Sequence, residues 1–162
     1  MRENRTKKTR EEKKADKLAL ACAKTGGFDK VTYLHDWRGH RAYEMGYSNY
    51  DGPLCIGLHY ILVKDDTARW VYGEEAHTIL SERCEELDGL ARTCFANNGY
   101  GEEGELECSV DWNGYEVYNL FREDGELLTQ DIALVDGKTM QARMATAEEL
   151  AQMEKDLEND CE

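Results

Sequence analysis

A Trp-x-Gly-x-x-x-Tyr pattern occurs twice in the chain, at a spacing of 75 residues: Trp37-Arg-Gly39-His-Arg-Ala-Tyr43 and Trp112-Asn-Gly114-Tyr-Glu-Val-Tyr118. Each copy is followed by an apolar run, Tyr60-Ile-Leu-Val63 and Ile132-Ala-Leu-Val135, then by a polar turn. Beyond each turn lie a Glu-Glu pair (Glu74-Glu75, Glu148-Glu149) and an amphipathic stretch. Features in the same order at nearly constant offset indicate a duplicated hairpin, strand and helix unit. Such a duplication points to a scaffold rather than to one asymmetric catalytic pocket.

Local signals fill in the unit. Val31–Trp37 and His40–Met45 read as a β-hairpin across Arg38-Gly39. Cys108–Trp112 and Tyr115–Leu120 flank Asn113-Gly114, and Asn-Gly is the strongest short hairpin signal. With two-residue loops each tryptophan gains a cross-strand partner, His40 for Trp37 and Tyr115 for Trp112. A second hairpin joins Leu58–Val63 to Ala68–Tyr72, and Asp131–Val135 to Thr139–Met144 in the second copy. Thr9-Arg-Glu-Glu12 and Thr146-Ala-Glu-Glu149 are capping boxes that start helices. A third helix spans about 74–95, with Ala76, Ile79, Leu80, Leu87, Leu90, Ala91 and Cys94 on one face. The fold class expected is α+β: an N-terminal helix, then two hairpin/strand/helix units with antiparallel sheet. The expected limits are a basic arm and helix over 1–27, repeats over 28–96 and 105–162, and a glycine-rich linker over 97–104.

The chain has 162 residues, 41% of them hydrophobic, and a single proline, Pro53. That suffices for a packed interior, and no apolar run nears the ~18 residues of a membrane span. A charged start with no signal-like stretch predicts a cytoplasmic protein. The net charge of −14 is uneven. Residues 1–17 hold eight Lys/Arg and four Asp/Glu, and residues 18–162 hold twelve against thirty. So acidic a body repels nucleic acid and anionic membranes and attracts basic protein surfaces.

Six cysteines (Cys22, Cys55, Cys84, Cys94, Cys108, Cys161) show no Cys-x-x-Cys spacing. They are expected as buried, reduced thiols. No serine sits in a nucleophile elbow. Cys55 and His59, four apart on an extended segment, would lie about 13 Å apart, too far for direct proton transfer. His35, His40, His59 and His77 fall one to an element, without metal-ligand spacing. No phosphate loop or dinucleotide fingerprint is present, so neither catalysis nor a cofactor is expected. A thiol- or metal-dependent enzyme built on the histidines and cysteines is the rival reading. A further alternative is a self-associating structural protein, a homo-oligomer whose basic arm docks on the acidic body.

Around Gly57-Leu-His-Tyr-Ile-Leu-Val-Lys the chain resembles short bacterial and phage proteins of no assigned activity. Those pair an aromatic hairpin with a Gly-Leu-Pro-His-Tyr-Ile-Leu-Val-like strand and a Glu-Glu helix start. The proline is absent here between Leu58 and His59. The resemblance covers about 45 residues of each copy and implies a bacterial or mobile-element origin, without catalytic residues.

The acid is concentrated. Between Glu74 and Glu107 there are ten Asp/Glu and two basic residues, Arg83 and Arg92. On the 74–95 helix Glu75, Glu82 and Glu86 recur at helical spacing, Glu85 and Asp88 widen the stripe, and Glu102, Glu103, Glu105 and Glu107 continue it. Rows of carboxylates can stand in for DNA phosphates before a protein that grips nucleic acid with Arg and Lys. In size and charge the chain is similar to DNA-mimic inhibitors, including some phage anti-CRISPR proteins. The function expected is therefore non-catalytic binding of a basic partner such as a CRISPR nuclease. Loop tyrosines Tyr47, Tyr50 and Tyr100 are the candidate aromatic anchors beside that acidic face.

Overall fold

Both capping boxes form. The Thr9 hydroxyl accepts from the Glu12 amide at 3.1 Å while the Glu12 carboxylate accepts from the Thr9 amide at 3.0 Å. This starts α1 (Arg10–Thr25). Thr146 and Glu149 make the same pair of bonds at 3.2 and 3.1 Å and start α3 (Ala147–Asp160). Each box satisfies amides that the first turn of a helix leaves without partners. Between them lies α2 (Glu74–Phe95), followed by a wide turn over Ala96–Tyr100. The computed structural model describes residues 7–52, 54 and 56–161.

The strands are β1 (Lys30–Trp37), β2 (His40–Gly46), β3 (His59–Lys64) and β4 (Thr67–Tyr72), then β5 (Glu105–Trp112), β6 (Tyr115–Phe121), β7 (Ala133–Asp136) and β8 (Gln141–Met144). They form two antiparallel four-stranded sheets, ordered β1-β2-β3-β4 and β5-β6-β7-β8. The fold is therefore α+β, with the strands of each repeat paired in the expected order. The last turn is longer than Asp136-Gly137, since Asp136 pairs with Gln141 and leaves Thr139 and Met140 in the turn. Trp37 faces His40 and Trp112 faces Tyr115. Arg38 and Gly39 have φ of 46° and 77°, and Asn113 and Gly114 have 50° and 81°. Positive φ at both central residues matches the right-handed twist of the flanking strands, which is why Asn-Gly suits the second turn.

A β-bulge interrupts both first hairpins at the same place, between Tyr33 and His35 and between Cys108 and Val110. The extra residue is Leu34 in one sheet and Ser109 in the other. Strand side chains alternate between faces, so residues three apart should point opposite ways. The bulge cancels one step and puts Tyr33 and Asp36 on one face, and likewise Cys108 and Asp111.

The chain divides into two compact units, Met1–Ser81 and Glu82–Glu162. In the first, Ala15, Ala19 and Ala23 of α1 pack on Tyr43, Met45, Ile61 and Val63. The other face of that sheet, with Ala42, Tyr60, Leu62 and Val71, meets Ala76 and Ile79 from the first turns of α2. In the second unit, Leu87, Ala91 and Phe95 from the later turns of α2 pack on Tyr118, Leu120, Ala133 and Val135. Met153 and Leu150 of α3 pack with Val117, Leu134 and Trp112 on the opposite face. Each unit is thus helix, sheet, helix, and α2 closes one unit and opens the next. The strand-based repeats over 28–96 and 105–162 leave out α1, which stands to its sheet as the later half of α2 stands to the second.

Two further pairings repeat. Arg69 of β4 grips Glu75 through both guanidinium nitrogens at 3.0 and 2.5 Å. Arg143 of β8 grips Glu149 at 2.5 and 2.8 Å. Such fork-to-fork bonds tie the last strand of each sheet to the first turn of the helix that follows.

Candidate functional site

The carboxylates singled out by spacing fall into distinct settings. Glu75 is held by Arg69 in the first unit, and Glu82 is half-buried at the start of the second. Glu85, Glu86 and Asp88 are exposed on α2, and Glu86 lies 3.4 Å from Arg83. Glu102, Glu103 and Glu105 are exposed, as is Glu107. Arg92, one of the two cations in that stretch, donates to the carbonyls of Glu103 and Gly104 at 3.1 and 2.9 Å rather than to a carboxylate. Among the described residues Glu85, Glu102, Glu103, Glu105 and Glu107 make no ion pair. The last two lie on β5, an edge strand, where charge also discourages pairing with another chain.

The tyrosines separate in the same way. Tyr47 packs on Phe28, ring centroids 5.0 Å apart, at the rim of the first core. Tyr100 lies edge-on to Phe95, and its hydroxyl bonds Thr129 at 2.9 Å and also Asp131. Both are half-buried structural residues, whereas Tyr50 is 52% exposed. Tyr50 stands at a cavity of about 580 Å³ between the end of the first hairpin and the 46–58 loop, near Lys30, Glu44 and His59. The corresponding loop of the second unit is shorter and closes on itself, Arg122 and Glu126 bonding through their backbones at 2.7 Å.

A further cluster recurs in both units, and of its members spacing suggested Asp88 alone. In the first unit the Tyr43 hydroxyl donates to Asp16 of α1 at 2.6 Å and accepts from Arg41 Nε at 2.9 Å. The Arg41 guanidinium lies 3.7 Å from Asp16 and 3.9 Å over the Tyr33 ring. Lys8 adds a 2.7 Å ion pair to Asp16, and the Tyr33 hydroxyl donates to Asp36 at 2.9 Å. Asp36 is the cross-strand neighbour of Arg41. Every anion here has a cation or a hydroxyl.

The second unit repeats the frame with different charges. The Tyr118 hydroxyl donates to Asp88 of α2 at 2.9 Å. Where the first unit has Arg41, the second has Glu116, and its cross-strand neighbour is Asp111. Where Tyr33 lay, Cys108 places its thiol 4.0 Å from the Glu116 carboxylate. Like charges directly opposite on a ladder repel. Arg83, a cation whose charge bears on Glu116, is engaged with Glu86, with Met140 Sδ at 3.0 Å and with the Gly137 carbonyl.

The titration of these groups follows from the settings. Burial pulls the Asp16 carboxyl upward, yet the bonds from Lys8 and Tyr43 and the charge of Arg41 outweigh it and hold it below its ordinary value. Burial and then the Asp16 bond push the Tyr43 phenol up to about 12. In the second unit burial, followed by the charges of Asp111 and Asp88, raises Glu116, although Arg83 and the Tyr118 hydroxyl pull the other way. Burial, then the charges of Glu116, Asp111 and Asp88, lift the Cys108 thiol to about 11, and burial with the Asp88 bond raises Tyr118.

His35, His40 and His59 each turn Nδ1 to a backbone carbonyl, of Asp36, Arg38 and Gly57. Among the described residues no three of His, Cys, Asp and Glu come together as a metal site. Cys55 lies outside the described residues. Of the other cysteines only Cys94 is buried, beside Met144 Sδ at 3.5 Å, while Cys22 is half-buried and Cys84, Cys108 and Cys161 are exposed. The expectation of buried thiols holds at Cys94 and fails at Cys84, Cys108 and Cys161, which lie on the exposed side of α2, on the edge strand β5 and just past the end of α3. No helix among the described residues is long and apolar enough to cross a membrane. No family model, curated protein or solved structure matches the chain.

Proposed function

We propose that this is a non-catalytic binding protein whose second unit docks on a basic protein surface. The observation that carries the reading is the divergence in charge between two units of one fold. Residues 1–81 hold fourteen Lys/Arg and twelve Asp/Glu, a balance of +2, and residues 82–162 hold six against twenty-two, a balance of −16. The same helix–sheet–helix frame exists nearly neutral, so its folding does not require the acid. Exposed carboxylates without ion partners, Glu85, Glu102, Glu103, Glu105 and Glu107, supply a field that attracts a cationic surface and speeds encounter with it. Glu82, Glu86 and Asp88 add to that field from the same helix. Tyr50, on the first unit, is 52% exposed and is the loop tyrosine assigned an aromatic contact on this reading.

The partner class that fits is an enzyme that handles nucleic acid, since its Arg and Lys rows already bind spaced anions. On this reading the protein is an inhibitor of the DNA-mimic kind, phage or mobile-element borne, with a CRISPR nuclease as a representative target. The test is binding of purified nucleases of this class at low and high salt, with and without competing duplex DNA. Retention at low salt, loss at high salt and displacement by DNA are expected. Charge-neutral substitution of Glu85, Glu102, Glu103 and Glu105 to glutamine should weaken retention without unfolding the protein. Unchanged retention would sink the assignment of this face.

A further inference from the structure

The two units form an internal comparison, because the same tyrosine–aspartate bond holds helix to strand in each, Tyr43 to Asp16 and Tyr118 to Asp88. In the first unit that frame surrounds a guanidinium. Arg41 donates to the tyrosine hydroxyl, pairs with Asp16 and lies over the Tyr33 ring. In the second unit the acceptors are retained and the cation is gone: Asp88, Asp111 and the Tyr118 hydroxyl correspond to Asp16, Asp36 and Tyr43, and Glu116 adds a carboxylate where Arg41 stood. Cys108, small and exposed, replaces the Tyr33 ring and leaves that flank uncovered. Among the described residues no guanidinium donates to Tyr118, and Arg83 is spent on Glu86, Met140 and the Gly137 carbonyl.

We infer that the cluster of Asp88, Asp111, Glu116 and the Tyr118 hydroxyl receives an arginine side chain from a partner protein, in the place that Arg41 fills from within the first unit. This rests on the acidic-docking reading and names its central contact. A guanidinium suits the site better than an ammonium. It carries five donors in a fixed planar fork, and three carboxylates and a hydroxyl present acceptors from strand and helix together. An entering cation also relieves the like-charge contact of Asp111 with Glu116, so binding and local stability are coupled.

The test is a ¹H–¹⁵N titration of the full chain at low salt with acetylated tri-arginine amide and, separately, acetylated tri-lysine amide. Saturable shifts centred on residues 88, 108–111 and 116–118 are expected from the arginine peptide, with lysine weaker by about tenfold for want of forked bonds. Glu116→Arg restores the arrangement of the first unit, so it should fill the site from within, abolish the arginine preference and raise the melting temperature. Asp111→Asn should weaken the arginine peptide without filling the site, and serves if Glu116→Arg does not fold. Glu154→Gln with Glu158→Gln, exposed on α3 at the opposite face of the sheet, should leave the arginine preference intact. Equal binding of both peptides, unaltered by Glu116→Arg or Asp111→Asn, would overturn the guanidinium site and leave the docking reading standing. Binding of neither peptide would remove both.

Discussion

The hydroxyl of Tyr118 donates to Asp88 at 2.9 Å, joining the second strand of one sheet to the helix across its face, and 75 residues earlier Tyr43 does the same with Asp16 at 2.6 Å. The bond is common to both units, but its surroundings differ. Asp16 is flanked by Lys8 and Arg41, whereas Asp88 shares its neighbourhood with Glu116 and Asp111. Conserved geometry with opposite charge separates what the fold needs from what the second unit has gained.

Removing the two hydroxyls should therefore have unequal effects. Tyr43→Phe leaves Arg41 and Asp16 half-buried without their shared partner, a loss of about 2 kcal/mol for a hydrogen bond to charged groups. Tyr118→Phe leaves Asp88 exposed to water, which replaces the bond, and the loss should stay below about 1 kcal/mol. Denaturant unfolding of both variants measures the difference, and equal losses would contradict it.

The pH dependence of the second unit should have two limbs. The Arg143 bonds hold the Glu149 carboxyl at about 2, below its ordinary 4.5. A depressed carboxyl contributes stability above its unfolded value, and that contribution is lost as pH falls from about 4.5 toward 2. Glu116 is raised by burial and by Asp111 and Asp88, so its sign is opposite. Its effect is most favourable below 4.5 and is lost as pH rises through its folded value. Melting temperature should fall as pH drops from about 4.5 toward 2, and should fall again as pH rises through the raised folded value of Glu116. Glu116→Gln should flatten the upper limb and leave the lower one in place.

Ala19 and Ala91 are fully buried in the cores that their helices form with their sheets. Leucine at either position adds volume to a filled contact, with an expected loss of about 1–3 kcal/mol from overpacking. Similar losses for Ala19→Leu and Ala91→Leu, read by denaturant unfolding, would match the equivalence of α1 with the later turns of α2. A neutral effect at one alone would break that equivalence.

Thiol labelling of the native protein should rank the cysteines by environment as well as exposure. Cys161 is exposed near the chain end and should react fast, and Cys94 is buried and should react last. Cys108 is exposed, yet its thiol at about 11 holds roughly a hundredfold less thiolate than an ordinary one at neutral pH. Glu116→Gln should accelerate labelling at Cys108 and leave Cys161 unchanged, as followed by peptide mass mapping.

The parts of the fold legible in the sequence were those set by contacts between near neighbours. A capping box is decided within four residues and a hairpin turn within two, so Thr9, Thr146 and Asn113-Gly114 announced their elements directly. The 75-residue repeat followed because strand pairing from these turns fixes which side chains face each other. The acidic field was equally visible, being a matter of composition, and Asp88 was named within it.

Three features required the tertiary structure. The kinship of α1 with the later half of α2 is hidden because Ala15, Ala19 and Ala23 answer to Leu87, Ala91 and Phe95 at an offset of 72 rather than 75. A helix face can keep its packing role while its residues change, as only volume and spacing are constrained. Asp111 and Glu116 read as ordinary polar positions on strands, since strict alternation gives no warning of the bulge at Ser109 that brings Cys108 and Asp111 to one face. Finally, the bonds of Tyr43 to Asp16 and Tyr118 to Asp88 span 27 and 30 residues. Sequence alone determined the elements, their duplication and the charge. Which carboxylates meet, and that one unit encloses a guanidinium where the other does not, was decided by docking each helix onto its sheet, because long-range packing brings together residues that no local pattern connects.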